Sequence, residues 1–494
     1  MLAIGLLISP LLTGVLAGLC SKYKFADLLQ VIGSFVTLCL TGLIALHVFS
    51  GNVIHAFDGL IYIDALGSFN MMLIAIVGLT AAIYSVSYMR YEVQEKVITR
   101  RQLGRYYFFL HFFILTMLIV SAVDNLGLLW VGIELTTLVS AMLVAFYGTQ
   151  HSLEAAWKYL IMGVVGIAFA LLGIVFFYLS GLNAIAEQPA AALQWTQLFQ
   201  VAGNLNPRWV EIGFIFILIG FGTKAGLAPM HFWLPDAHSQ APAPVSAVLS
   251  GVLLNTALYG IFRVYAIANV TLQGHAGDYL IAFGLFSISV TVPFIMVQHD
   301  LKRMLAFSSV EHMGIITLAV GIGGPLGLYG AFLHMFNHSM TKSLLFFSAG
   351  NIAQKYHSKY IDRISGVVKA MPFTGIVFLL AAFAVAGAPP FSIFMSEFTI
   401  MLAGADAGKL WVACTFAALI VLIFAGMSYY VIRMGFGELP ARIGKKPTDW
   451  WMRIAMCIPL SLILLCGLYV PEFLEKVIHT AASVLQGGGE GFGQ

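Results

Sequence analysis

The feature that most constrains this chain is a succession of long, nearly uncharged apolar runs. They fall near 2–20, 29–49, 66–88, 106–123, 125–147, 155–180, 209–234, 243–267, 279–297, 304–322, 326–350, 371–402, 410–432 and 453–470. A bilayer core of about 30 Å takes about 20 apolar residues of helix, and these runs meet that length. Charged residues make up 10% of the 494 and hydrophobic ones 60%, where a soluble domain carries about a quarter charged. So few polar groups cannot shield such a chain from water, so lipid is its solvent. Buried backbone must then pair within each segment, which leaves helices. The expectation is an all-α membrane protein of about fourteen transmembrane helices.

Two runs are too irregular for a straight crossing. In 209–234 Gly226 and Pro229 follow Lys224, and 371–402 holds Pro389 and Pro390 near its middle. Both read as broken helices, the seventh and the twelfth. They lie five spans apart, and because five is odd, repeated units of that size would have inverted topology. The 181–208 loop is expected to hold a short surface helix. The glycine-rich tail after Gln486 reads as disordered, and Met1–Leu19 as a first span rather than a cleaved leader.

Several classes drop out. A net charge of +3 is too small and scattered to suggest a nucleic-acid partner. Cys20, Cys39, Cys414, Cys457 and Cys466 form no C-x-x-C pair, so they read as apolar fillers rather than metal or cluster ligands. No glycine-rich phosphate loop or haem-attachment motif occurs. No cofactor, metal ligand or catalytic residue is expected in this chain.

Charge gives an orientation. With the amino terminus outward, 18 of the 25 basic residues fall on inward loops, among them Lys22, Lys24, Lys302, Arg442, Lys445 and Lys446. Three lie outside (Arg208, Lys409, Lys476) and four within spans (Lys158, Lys224, Arg263, Lys342). That bias follows the positive-inside rule.

Charges in mid-span need a reason, because each costs from about 2.5 to more than 10 kcal/mol unless paired or hydrated. Glu134 lies in LLWVGIELTTL, Lys224 just before the first break, and Glu397 after the second. His334, His338 and Lys342 are spaced four apart and share one helix face, a stack suited to passing protons through intervening water. Bland readings stand beside these: a static Glu134–Lys224 ion pair, interhelical hydrogen bonding by the His334/His338/Lys342 stripe, and a packing pair at Glu311 and His312. His231 and His238, flanking Pro235, read equally as path access or loop hydrogen bonding. Glu154 and Lys158 form an i,i+4 pair in which Lys158 is deep enough to modulate its neighbours. His47, His55, His111, His275 and His299 are placed near interfaces with no role.

At these residues the sequence resembles a known family. GTKAGLAPMHFWLPDAHSQAPAPVSAVLSGVLLNTALYGIFR, LLWVGIELTTL, HSMTKSLLFFSAGNI and APPFSIFMSEF are similar to the antiporter-like subunits of respiratory complex I, Mrp antiporters and membrane-bound hydrogenases. Similarity spans roughly residues 66 to 433. SSVEHMGIITLAVGIGGPLGLYGAFLHMFNHSMTKSLLFFSAGNI and YIDRISGVVKAMPFTG most resemble the F subunit of hydrogenase-4-type complexes. The resemblance implies two inverted five-helix repeats, dividing the chain into 1–103, 104–267, 268–433 and 434–494. It implies proton-translocation roles for Glu134, Lys224, His334, His338, Lys342 and Glu397. Many relatives carry a lysine in the eighth span where this chain has Asn255, which cannot hold a proton at physiological pH.

The function expected is proton translocation along a buried Glu/Lys/His axis, in a subunit of a hydrogenase or complex I-like assembly. Lys158, His231, His238, Asn255, Glu311 and His312 are its candidate relays or modulators. The proton would run from Lys224 past Asn255, His338 and Lys342 to Glu397. Partners would be further membrane and peripheral subunits, with the chain in the inner membrane of a prokaryote. The alternatives are sodium or potassium exchange against protons, proton supply to an inorganic-carbon uptake complex with a zinc-containing partner, and a scaffold that only anchors a peripheral enzyme.

Overall fold

A computed structural model describes residues 1–21, 25–57, 59–185, 189–441, 443–444 and 448–486. Lys22, Lys24, Arg442, Lys445, Lys446 and the tail beyond Gln486 lie outside the described residues, so the sequence readings that fall on them have no structural counterpart. The helices are α1 (Leu2–Leu19), α2 (Phe25–Val48), α3 (Ala65–Gln94), α4 (Arg100–Ala122), α5 (Leu126–Val144) and α6 (Gln150–Ala184). Next come α7 (Trp195–Gln200), α8 (Pro207–Ala225), α9 (Trp233–Gln240) and α10 (Ala243–Thr271), the last with a π turn at Leu249–Leu253. Then follow α11 (Ala276–Met296), α12 (Leu301–Ile322), α13 (Gly324–Tyr356), α14 (Pro372–Val385), α15 (Ser392–Asp406), α16 (Leu410–Phe436), α17 (Trp450–Leu468) and α18 (Glu472–Ser483). A short hairpin, β1 (Ile54–Ala56) with β2 (Ile61–Ile63), precedes α3.

Local chemistry starts and stops these helices. Asp64 accepts from Gly67 N–H at the head of α3, and Thr99 with Gln102 forms a capping box on α4. Asn125, Thr149, Asn206, Asp300 and Asp449 cap α5, α6, α8, α12 and α17 in the same way. Each satisfies a backbone donor that a helix end leaves unpaired.

Eleven of the described helices are long and apolar enough to cross a membrane. The three expected spans outside that set carry the breaks or the polar stripe. The first, 209–234, separates into α8 and α9, and 371–402 into α14 and α15. The third, α13, is one continuous helix of 33 residues whose histidines, asparagines and lysines dilute its hydropathy. α10 and α12 are the innermost elements, fully buried over their most apolar stretches, whereas α1, α16 and α17 are one-third buried. Polar residues therefore gather on α10, α12 and α13, away from lipid.

The 181–208 loop differs from expectation. Its helix, α7, is tucked inward, because Trp195 is buried and its Nε1–H donates to the Arg263 carbonyl at 2.6 Å. Beyond the last apolar run, α18 lies on α3 and α13 with Leu474, Val477, Ile478, Ala481 and Ala482 buried.

Candidate functional site

Two clusters of buried ionisable groups occupy the bundle interior. In the first, Lys224 ends α8 one residue before Ala225, where Gly226 (φ +78°) turns the chain into the left-handed region and breaks the helix. Its Nζ donates to Thr137 Oγ1 at 2.8 Å and to the Tyr159 hydroxyl. Ser140 spends its own hydrogen on the Thr136 carbonyl (2.6 Å), so Tyr159 donates to Ser140 across 2.7 Å. Beyond the break, Trp233 stacks on Tyr159 with ring centroids 4.4 Å apart, and its Nε1–H donates to the Thr223 carbonyl, one of the acceptors freed at the helix end. Glu134 lies one turn before Thr137 on α5, half-buried, with a buried Oε2 that has no hydrogen-bond partner. Its charge and that of Lys224 interact, but the lysine is held by Thr137 and Tyr159. The static ion pair weighed from sequence is not the arrangement adopted.

In the second cluster, α13 presents His334, His338 and Lys342 on one face, each fully buried. Lys342 Nζ donates to the Leu305 carbonyl at 3.0 Å and to the Ser308 hydroxyl on α12. Glu311, one turn beyond Ser308, is its acidic neighbour and keeps one oxygen unpartnered. Glu311 and His312 are therefore not a packing pair. Glu311 serves Lys342, while His312 Nδ1 and His334 Nε2 lie 2.8 Å apart in a hydrogen bond. His338, whose two ring nitrogens have no protein partner, has its ring centroid 5.3 Å from that of His312.

Hydrogen positions in this cluster follow from its far end. Ser396 donates to the Ile393 carbonyl (2.8 Å), so its oxygen accepts from His334 Nδ1 at 2.9 Å. His334 then offers Nε2 as acceptor, His312 Nδ1 is the donor, and His312 Nε2, which has no partner, is left bare. Glu397 completes the group: one ligand atom from each of His312, His334 and Glu397 lies within 4.8 Å of the others. These side chains have the make-up of a metal-binding set, although none was assigned from sequence. As placed, His312 Nδ1 and His334 Nε2 are engaged with each other through one hydrogen.

The expected order, His338 then Lys342 then Glu397, is not the spatial one. Lys342 lies a turn beyond His338 on α13, while Glu397 adjoins His334 at the stripe's other end. The sequence of neighbours is Lys342, His338, His312, His334, Glu397. Helix periodicity explains it: the three side chains climb one face, so only an end residue can meet the break.

The chain matches the family described as NADH:quinone oxidoreductase/Mrp antiporter, TM, over residues 123–422. It is 37% identical to a hydrogenase-4 component F homolog of Methylacidiphilum infernorum, across 95% of this chain and 97% of that one. The chain belongs to this antiporter family. It is also 29% identical to NADH-quinone oxidoreductase subunit N of Desulforudis audaxviator, over 85% of this chain and 84% of the relative. In fold it is similar to a chain of the membrane-bound sulfane sulfur reductase, an archaeal respiratory membrane complex, with a TM-score of 0.86, 23% identity and coverage of 98% and 97%. It is thus a multi-pass, antiporter-like membrane subunit, and its relatives are components of multi-subunit complexes.

The remaining candidates of this antiporter-like chain take varied places. Asn255 donates to Ser339 Oγ (2.9 Å) and to the Gly251 carbonyl (3.1 Å), tying α10 to α13. Lys158 is half-exposed on α6, paired with Glu154 at 2.7 Å and Asp236 at 3.3 Å. His231 is buried among Phe232, Phe294 and Phe307. His238 stacks on Phe346 at 5.0 Å, and the charges of Lys342 and Lys302 reach it.

Other residues were missed. Lys302, counted with the loops, is buried and donates to the Ala241 carbonyl at 2.7 Å. His111, placed near an interface, is buried in the middle of α4. Arg263 makes a two-point ion pair with Asp64 (2.7 and 2.5 Å), with Trp195 and Tyr259 over its guanidinium. From sequence Arg263 was counted only among the basic residues within spans, and Asp64, which precedes the α3 span, drew no reading. Asp124, in the loop before α5, is held above the usual carboxylate range by burial, partly offset by hydrogen bonds from Thr196.

Proposed function

We propose that this chain moves protons across the membrane as a redox-free subunit of a hydrogenase-4-type or complex I-like assembly. The observation that carries the reading is the link between His312 and His334, which bridges α12 to α13 and leads from His338 to Glu397 at the second break. Anchoring alone requires no such row, because each buried ionisable group costs several kcal/mol. The test is proton uptake by vesicles containing the assembled complex. Lys224→Ala is expected to abolish it, and normal uptake by that variant discards the scheme.

In this reading Glu134 moves towards or away from Lys224. A nearby opposite charge favours the charged lysine and burial disfavours it, so a change of distance loads or releases one proton. The proton then passes by Asn255 and His238 to Lys342, and along His338, His312 and His334 to Glu397. The unpaired nitrogens of His231, His238 and His338 suit a path that water hydrates in transit. The proposed frame is fourteen crossings with two inverted five-helix repeats (104–267 and 268–433), flanked by 1–103 and 434–494. The amino terminus faces outward, in the inner membrane of a prokaryote. Driving energy comes from partner subunits, by analogy with relatives named as components of hydrogenase-4 and NADH-quinone oxidoreductase.

The family's description also names Mrp antiporters, which supports cation exchange as a second reading. A sodium-dependent pH gradient in vesicles would favour it over proton translocation alone.

A further inference from the structure

We propose that the cleft between the carboxyl end of α1 and the amino end of α4 binds one anionic phospholipid. The cleft encloses about 740 Å³ and has two chemically distinct ends. Arg101 and Arg105, both exposed and one turn apart on α4, stand at its mouth beside Arg100, and no acidic side chain is among the described residues that line it. Like charges at i,i+4 repel one another, so Arg101 and Arg105 favour a counter-charge with acceptor oxygens; phosphate suits guanidinium groups in geometry as well as sign.

Away from the mouth the cleft turns apolar. Gly18 and Gly104 bring the two helices close enough that a Cβ on Gly18 would meet the Gly104 carbonyl at 3.2 Å. Val15 and Phe108, deeper along the two helices than the arginines, wall the groove that this crossing leaves. From Arg100 to Phe108 it runs eight residues, about 12 Å along the helix axis. A soluble phosphate would use only the arginines, whereas a phospholipid fills both ends, with its phosphate at the mouth and an acyl chain along Val15 and Phe108. Lining made of basic headgroup contacts above an apolar groove is the chemistry of an anionic-lipid site. The site is separate from the buried clusters and does not depend on proton transport.

The test uses the full chain purified in detergent, delipidated and titrated with phosphatidylglycerol or phosphatidylcholine, with bound lipid counted by native mass spectrometry. The wild type is expected to retain one phosphatidylglycerol and to show no matching affinity for phosphatidylcholine. Arg101→Gln and Arg105→Gln should each weaken binding about fivefold. Val15→Trp fills the apolar end while leaving the arginines in place, and should lose the lipid as well. Equal retention by wild type and variants would overturn the proposal. So would displacement by millimolar inorganic phosphate, which would mark a headgroup-only anion site, or a partner side chain occupying the cleft in the assembled complex. Should a variant fail to fold, the wild type's loss of phosphatidylglycerol between 50 mM and 500 mM salt decides, and an unchanged affinity counts against the site.

Discussion

His312 Nδ1 and His334 Nε2 face one another across 2.8 Å, joining two helices through a single shared hydrogen. Neither ring has a charged residue bonded to it, so in the proposed path the pair would hand a proton on rather than hold an ion pair.

Replacing His334 with glutamine should therefore interrupt the row while leaving a polar side chain of similar reach. A positioned acid–base group contributes about 10²-fold or more to a proton-transfer step. Proton uptake by vesicles is expected to fall on that scale with the amount of protein in the membrane unchanged. Uptake near the wild-type rate would show that the path bypasses this ring.

Lys224→Arg separates a carrier from a fixed charge. Arginine keeps the positive charge but cannot release it in a protein. If Lys224 only balances Glu134, the variant should transport normally. If it cycles, transport should be lost as fully as in Lys224→Ala, read as dye quenching in the same vesicles.

The Tyr159 hydroxyl receives from Lys224 and donates to Ser140. Tyr159→Phe leaves both short of a partner in a buried site. A cost of about 1–3 kcal/mol is expected, seen as a lowered unfolding midpoint in detergent, with transport slowed but not abolished.

Gly387 lies in the second break with φ +77°, and a Cβ there would overlap the Glu397 carboxylate. Gly387→Ala should cost about 1–2 kcal/mol from its backbone conformation alone. It should also displace the carboxylate, measured as a shift of its infrared band. An unshifted band would mean that Glu397 is not confined as described.

The Asp64–Arg263 pair is buried on both sides, with side-chain exposures of 6% and 3%. Arg263→Met strands a carboxylate and should cost about 3–5 kcal/mol. Adding Asp64→Asn should recover part of that loss, because the uncompensated charge is gone. Thermal unfolding of the single and double variants measures both.

Much of this was readable from the chain. Apolar run length located the eleven clearest crossings, and Pro and Gly marked both breaks, because these are local properties of backbone and solvent. The individual charges Glu134, Lys224, Lys342 and Glu397 stood out for the same reason. Their pairing did not. Whether Lys224 meets Glu134 or Tyr159 depends on how α5, α6 and α8 lean together, and Tyr159 is an ordinary aromatic in an apolar run. Ser396 was invisible for a related reason: serine is common in such helices, and only the His334 ring beside it gives it meaning. Lys302 and His111 were misjudged because distance from a span's end is a poor guide to burial once helices overhang one another.

The serine at the end of the histidine row gives the row a polarity. With Ser396 donating to Ile393, every hydrogen between His312 and Ser396 points the same way. One charge travelling through would leave each of them pointing backwards, and the rings and hydroxyl would have to swing round before another could follow. Transit would then alternate with reorientation, and the pace of the row would be set by how freely two imidazoles turn inside a packed bundle.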